Sequence, residues 1–160
     1  MERIRLEDRE CPLSATLGLV GEWWTLLILH DAFDGYTRFD QFQKSLSIAP
    51  NMLTRRLNGL VKAGLLTRCR YSEGPPRYEY LLTPRGRDFR PVIVALMTWG
   101  NRHFAPEGAS ARLVHARSGK PADPVLVDRR SGRRITARDF VFAAGPAANE
   151  RVRARFARQL

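Results

Sequence analysis

The strongest constraint on the fold is a change of hydrophobic period at Gly64. Before it, a segment that begins at Pro50 has the spacing of an amphipathic helix, and proline suits the first turn of a helix. After it, residues 65–71 and 77–83 are short strand candidates around the turn sequence SEGPP, a pattern that predicts a β-hairpin. Glycine commonly ends a helix. The apolar face of the predicted helix consists of Leu53, Leu57, Leu60 and Val61.

Helical segments precede this unit. Residues 14–32 are mostly apolar and predict two short helices that are broken near Gly21. A turn at residues 34–36 follows, and Thr37 is then placed to cap a third helix over residues 38–46.

The hairpin is followed by another helical pattern. Thr83 and Pro84 have the residue types of a helix start, and the apolar stripe continues to about Phe104 with a slight kink expected at Pro91. Four helices, a two-stranded hairpin and a long helix, in that order, are the elements of a winged helix-turn-helix. We therefore predict a mainly α fold with a small β-hairpin, in a domain of residues 1–104.

The remaining residues, 105–160, differ in composition, with Gly, Pro, Ala and Arg predominating. They predict a small β-rich or partly flexible C-terminal extension with two or three short strands and Ser-Gly turns. Residues 149–160 predict a basic amphipathic helix or a frayed end, with solvent favoured over DNA as its surroundings.

The charge is strongly basic: 27 Lys and Arg against 16 Asp and Glu give a formal net charge of +11. Residues 38–90 hold eleven of these cations and four acids, whereas residues 1–37 are net acidic. Such a gradient favours a polyanionic partner, although a generally basic protein remains an alternative. The charged start MERIRLEDRE lacks the apolar stretch of a signal peptide, and no apolar run approaches a membrane span. We expect a cytoplasmic protein.

The predicted helix at 50–63 carries polar and cationic residues opposite its apolar face. A major groove accepts a helix, where Arg can bind guanine and Asn can bind adenine. The competing interpretation is an ordinary solvated helix face. The residues predicted on this outward face are Asn51, Arg55, Asn58 and Lys62, of which Arg55 and Asn51 are assigned to base edges. Thr54 and Arg56 flank this face and are placed to reach phosphates. The wing supplies Arg68, Arg70 and Arg77, and Arg77 is assigned to phosphate.

The sequence gives little support for catalysis or metal binding. His30, His103 and His115 have no carboxylate or cysteine at useful spacing, and phosphate-binding glycine loops and nucleophile elbows are missing from the sequence. Cys11 and Cys69 are too few for a metal site or a disulfide framework. We expect no enzyme activity, no cofactor and no metal.

The residues also resemble the HxlR family of bacterial transcriptional regulators over about residues 11–100. The resemblance rests on Cys11-Pro12, Gly21 before Trp23-Trp24, Phe39, Phe42, Met52-Leu53 with Arg56-Leu57, Gly64-Leu65, Tyr78-Glu79-Tyr80 and Leu82-Thr83. Trp23 departs from the lysine that is common in the family. The resemblance implies a winged-helix dimer that binds operator DNA and regulates nearby genes. We therefore expect a homodimeric repressor that responds to a small molecule or a redox signal.

The same resemblance implies which surfaces form the dimer. The first and last helices are expected to meet, through apolar residues that a lone domain would leave with few contacts. A monomer that buries them in its own core is the alternative. They are Leu17, Leu19, Val92, Leu96 and Trp99.

Cys11 matches by position a cysteine that senses oxidants in some family members. A low thiol pKa needs cations or a helix N-terminus, which Arg9 and the following segment offer, while Glu10 opposes it. The alternative is a half-buried structural cysteine. Related tails sometimes carry cysteine pairs, but the comparable positions here are Ser118, Asp128 and Ser131, so no structural zinc is expected.

Two further functions remain open at this stage. One is a small-molecule-binding module with DNA binding secondary or lost, whose pocket would be lined by Trp23, Trp24, Phe33 and Trp99. An aromatic cluster of this kind is more often core. The other, non-specific RNA binding, has little support because exposed aromatic residues on a sheet are not evident.

Overall fold

The computed structural model describes residues 11–157, so the predictions for residues 1–10 and 158–160 lie outside it. The mainly α fold with a winged helix-turn-helix is confirmed. The elements are α1 (Pro12–Val20), α2 (Trp23–Phe33), α3 (Phe39–Leu46), α4 (Pro50–Lys62), β1 (Leu66–Ser72), β2 (Arg77–Leu82), α5 (Pro84–Arg87), α6 (Arg90–Phe104) and α7 (Glu150–Phe156).

The described residues form two compact units, one of residues 13–94 and one of residues 11–12 and 95–157. The first unit contains the helix-turn-helix and the hairpin, and the division falls inside α6 between Val94 and Ala95.

The core of the first unit lies where α2, α3 and α4 pack together. The apolar stripe of α4 faces inward, and removal of one such leucine side chain costs about 2–5 kcal/mol. The largest side chains that keep almost no solvent contact are Ile28, Leu29, Phe42, Leu53, Leu57, Leu60 and Leu66.

The break between α1 and α2 depends on a glycine. The Gly21 amide donates a hydrogen bond of 2.7 Å to the carbonyl oxygen of Leu17. A β-carbon at position 21 would lie 2.3 Å from that oxygen, far inside van der Waals contact. Only glycine allows the two helices to bend this tightly.

Thr83 joins the end of α4 to the start of α5. Its hydroxyl donates to the Gly64 carbonyl at 2.6 Å and accepts from the Gly86 amide at 3.0 Å, as the predicted cap does. Its amide donates to the Leu65 carbonyl at 3.1 Å. A β-carbon on Gly86 would lie 2.0 Å from the same Leu65 oxygen, so the two segments touch directly.

Two local predictions differ from the structure. The cap of α3 is not Thr37: the Gln41 side-chain oxygen accepts from the backbone amides of Thr37 and Arg38 at 3.0 and 2.9 Å. Pro91 does not kink one long helix. The chain forms α5 and α6 instead, because a proline has no amide hydrogen to continue a helix but fits the first turn of a new one.

The predicted strands of the extension are wrong. Within residues 105–157 the pairing is limited to isolated antiparallel bridges, Val114 with Pro121 and Val127 with Arg134. The first bridge is flanked by two backbone hydrogen bonds, from the Ala122 amide to the Leu113 carbonyl and from the His115 amide to the Lys120 carbonyl, and the pairing goes no further. The second is followed at once by a turn, in which the Phe140 amide donates to the Thr136 carbonyl. The predicted basic helix near the C-terminus forms as α7.

In residues 11–157, no helix alone has the length and apolar character needed to cross a membrane. Only α1 and α2 taken together reach that length and composition, and they are bent by 79° at the break between them.

Candidate nucleic-acid interface

The outward face of α4 is polar and open to solvent. Its leucines point into the core, so the residues 180° away around the helix must point outward. Asn51, Arg55, Asn58 and Lys62 lie on this outward face, and Thr54 lies at its edge. We call these five residues the recognition face, and all five are exposed.

The recognition-face side chains differ in how they are held. The Thr54 hydroxyl donates to the Pro50 carbonyl within the helix at 2.8 Å, and the Asn51 side-chain oxygen accepts from the Met52 amide at 2.7 Å. Arg55, Asn58 and Lys62 make no side-chain hydrogen bond or ion pair with any other residue of the described chain. These three side chains therefore keep all their hydrogen-bonding capacity for a ligand.

Arg56 has a different environment from Arg55. Its guanidinium forms an ion pair of 2.8 Å with Glu22, next to the start of α2, and only 16% of its side chain is exposed. Its Nε atom is buried and has no partner among the described residues. A phosphate contact by Arg56 would have to compete with Glu22.

The arginines of the wing also divide by environment. Arg68 lies 3.6 Å above the centre of the Tyr78 ring, a cation–π contact. Arg70 is bound to the hairpin turn, through the carbonyl oxygens of Ser72 and Glu73 at 3.1 and 2.9 Å and the Glu73 carboxylate at 3.2 Å. Arg70 therefore stabilises the turn.

Arg77 remains available at the wing and has a neighbour that the sequence did not reveal. It is exposed and makes no ion pair within residues 11–157. Arg77 and Arg38 line one cleft of about 550 Å³. The Arg38 guanidinium lies 4.7 Å from the centre of the Tyr71 ring, and the Arg38 backbone forms an isolated antiparallel β-bridge with Glu79 of the hairpin. Sequence analysis missed Arg38; the signal was a basic residue directly before a helix of the helix-turn-helix.

The two cysteines are both half-buried. Cys11 directly precedes α1, so the predicted position beside a helix start is correct, whereas Arg9 and Glu10 lie outside the described residues. Cys69 lies in β1 opposite Glu79. The described part of the chain contains no group of three or more His, Cys, Asp or Glu residues that is placed to hold a metal.

The aromatic residues proposed for a small-molecule pocket are not among those that line the cleft of about 550 Å³ or a second cleft in the first unit. Trp23 stacks on Trp24 with ring centres 3.9 Å apart, and Trp23 itself is exposed. The second cleft, of about 240 Å³, places Arg55 beside Gly18 and Leu19 instead.

The apolar side chains assigned to a dimer contact are exposed in the single chain. Leu17, Leu19 and Val92 are open to solvent, and Leu96 and Trp99 of α6 are 48% and 55% exposed. The alternative, in which a monomer buries these residues in its own core, disagrees with this exposure.

A helix-turn-helix with an exposed polar helix face and a basic wing defines the class of winged-helix transcription factors. The chain belongs to the HxlR-like helix-turn-helix family, whose sequence model matches residues 19–108. It is a transcriptional regulator with a helix-turn-helix fold.

Known proteins agree with this assignment. An HTH-type transcriptional regulator of Mycobacterium tuberculosis (strain ATCC 25618 / H37Rv) is 47% identical over 131 residues, which are 81% of this chain and 83% of that one. The transcription factor PA1374 of Pseudomonas aeruginosa is 50% identical with a TM-score of 0.66, over 91% of this chain and 99% of that one. The redox regulator HypR is 34% identical with a TM-score of 0.54, over 58% of this chain and 95% of HypR.

Proposed function

We propose that this protein is a homodimeric, sequence-specific DNA-binding repressor, without enzyme activity, that acts in the cytoplasm and responds to a redox or small-molecule signal. The observation that carries the proposal is the recognition face of α4, where Arg55, Asn58 and Lys62 are exposed and uncommitted.

Base reading follows from the chemistry of this face. Arg forms paired hydrogen bonds with guanine, and Asn with adenine, in the major groove. The side chains of Arg55 and Asn58 keep every donor for such contacts. Contacts with the phosphate backbone of DNA are assigned to the cations beside the wing, because Arg77 and Arg38 line a single cleft there.

The exposed apolar residues support the homodimer. Leucine and tryptophan side chains that remain open in one chain lose this unfavourable exposure when a second copy covers them. A two-fold dimer also presents two recognition helices to two half-sites, which raises affinity without a new kind of contact.

The signal is supported by Cys11 and by a relative. A half-buried cysteine that directly precedes a helix is placed where a thiolate is stabilised. HypR, which shares the fold, is a redox regulator. We propose the same class of signal here, with Cys11 as its site, and a small-molecule effector as the alternative.

The test compares the purified full-length protein on the DNA upstream of its own gene and on a scrambled duplex of equal length and composition. We expect tight binding to the first and a lower affinity for the second, by a factor of about 10³ or more at physiological salt. Equal affinity for the two duplexes would refute sequence-specific recognition. Tryptophan fluorescence against a panel of small metabolites tests the small-molecule alternative.

A further inference from the structure

The C-terminal extension contains the same turn twice, thirteen residues apart. We call residues 113–122 the first turn and residues 126–135 the second turn. In each, the glycine amide donates 2.8 Å to the carbonyl four residues earlier: Gly119 to His115, and Gly132 to Asp128. Both glycines have left-handed backbones, with φ of 67° and 68°.

The remaining backbone bonds repeat as well. The His115 amide donates to the Lys120 carbonyl at 2.8 Å, and the Asp128 amide donates to the Arg133 carbonyl at the same distance. The outer pairs, Ala122 to Leu113 and Ile135 to Leu126, both measure 2.9 Å. The sequences VHARSGK and VDRRSGR share Val, Arg, Ser and Gly at equal positions, a repeat that sequence analysis overlooked.

Each turn is closed by the side chain at its start, but with different chemistry. In the first turn, the His115 Nδ1 atom lies 3.1 Å from the Ser118 hydroxyl. In the second, the Asp128 carboxylate accepts from both the hydroxyl and the amide of Ser131, which lowers the pKa of Asp128 below its ordinary value. At neutral pH this carboxylate is therefore ionised and bound within the turn.

The second turn holds more cations than the first, four arginines against one arginine and one lysine. Arg133 forms an ion pair of 3.6 Å with Asp139, whereas Arg129 and Arg130 make no ion pair within residues 11–157. Asp128 is the only acidic residue of the second turn, and its oxygens accept from the turn itself. The exposed cations are Arg117 and Lys120 in the first turn and Arg129, Arg130, Arg133 and Arg134 in the second.

We propose that the second turn is an additional DNA contact, which binds the phosphate backbone through Arg129 and Arg130. Four guanidinium groups on a six-residue segment attract a polyanion, and guanidinium matches the geometry of phosphate. The turn is closed by its own hydrogen bonds, so little ordering is needed on binding. Duplex DNA is the polyanion that a helix-turn-helix regulator meets, and in this choice of partner the inference rests on the proposed function.

The test uses full-length protein with Arg129→Ala and Arg130→Ala together, on random duplex DNA over a range of salt concentrations. Each lost phosphate contact removes about 0.9 from the log–log salt slope, so the slope should become shallower by about two. The matched control removes two exposed arginines from the same extension, outside the turns: Arg112→Ala with Arg138→Ala. This control should keep the slope of the wild type.

Replacement of both residues by lysine, Arg129→Lys with Arg130→Lys, keeps the charge and should restore most of the slope, which separates charge from damage to the turn. The inference fails if both alanine variants change the slope equally, if neither does, or if the effect appears only on RNA. Binding to random duplex DNA tests the second turn without any operator. A wild-type protein that shows no sequence preference would therefore contradict the proposed function but not this inference.

Discussion

Arginines of identical chemistry occupy different environments on α4 and on the hairpin. Arg56 is paired with Glu22 and Arg70 is bound to the hairpin turn, so both stabilise the fold. Arg55 and Arg77 are exposed without such partners among the described residues. At the residue scale, only some of the cationic side chains predicted from the sequence are therefore free of protein partners and available to bind DNA.

Under the proposed function, in which Arg55 contacts a base and Arg77 contacts a phosphate, the two residues should give different defects when each is replaced by alanine. Arg55→Ala removes a base contact, so operator binding should weaken by about 1–3 kcal/mol while random binding changes little. Arg77→Ala removes a phosphate contact, so both affinities should fall together and the log–log salt slope should drop by about one.

The measurement is fluorescence anisotropy on operator and random duplexes over a salt series, with the ratio of the two affinities as the readout. If Arg55→Ala preserves that ratio, the side chain does not read bases and the recognition face is only a charged support.

At the element scale, strong local patterns were enough to predict most of the first unit. The proline and glycine at the two ends of α4, and the leucines between them, act within one helix, so their effect is visible in the sequence. The Glu22–Arg56 ion pair and the Arg38–Tyr71 contact join residues more than thirty positions apart, and no local pattern reveals them.

The extension was harder to predict for a physical reason. Its apolar residues suggested strands, but no residue between 105 and 157 is buried. Burial of apolar side chains therefore does not stabilise longer strands there. Its structure depends on turns held by backbone hydrogen bonds, with Gly119 and Gly132 at positive φ. Only a comparison of the chain with itself would have shown the duplication.

The start of α1 gives a redox prediction. Cys11→Ser should leave DNA binding in reductant almost unchanged, because the hydroxyl has nearly the size of the thiol. It should abolish any loss of binding that peroxide or a quinone causes through Cys11 in the wild type, because a serine hydroxyl does not react with these oxidants as a thiolate does. Binding assays with and without oxidant measure this.

Cys69→Ser is the matched control and should respond to oxidant as the wild type does. If oxidant does not change DNA binding by the wild type, Cys11 is a structural residue and not a redox sensor. The small-molecule effector would then replace the redox signal in the proposed function.

At the scale of the whole molecule, the proposed function depends on assembly into a dimer. One recognition helix contacts only a few base pairs, whereas a two-fold dimer engages two half-sites about one helical turn apart, roughly 34 Å. Exposed leucine and tryptophan side chains on α1 and α6 are the surfaces available for this contact.

Leu96→Asp should produce monomers in light scattering and weaken operator binding, since a charge at an apolar contact loses its hydration. Leu96 is 48% exposed in the single chain, so the fold itself should be preserved in circular dichroism. Ala95→Asp adds the same charge at a small exposed neighbour and should have a weaker effect on assembly. A Leu96→Asp protein that remains fully dimeric would remove α6 from the dimer contact.

The Thr83 junction has a mechanical consequence for such a dimer. One hydroxyl bonds both to the carbonyl of Gly64, just beyond α4, and to the amide of Gly86 in α5. If α5 is displaced, the end of α4 must therefore move with it, or these hydrogen bonds must break. With Gly86 pressed against the Leu65 carbonyl, little slack is left to absorb the movement. A movement at the beginning of α6 would therefore be passed through α5 and Thr83 to the end of α4 and would change the tilt of α4. The hairpin would not be needed to transmit it.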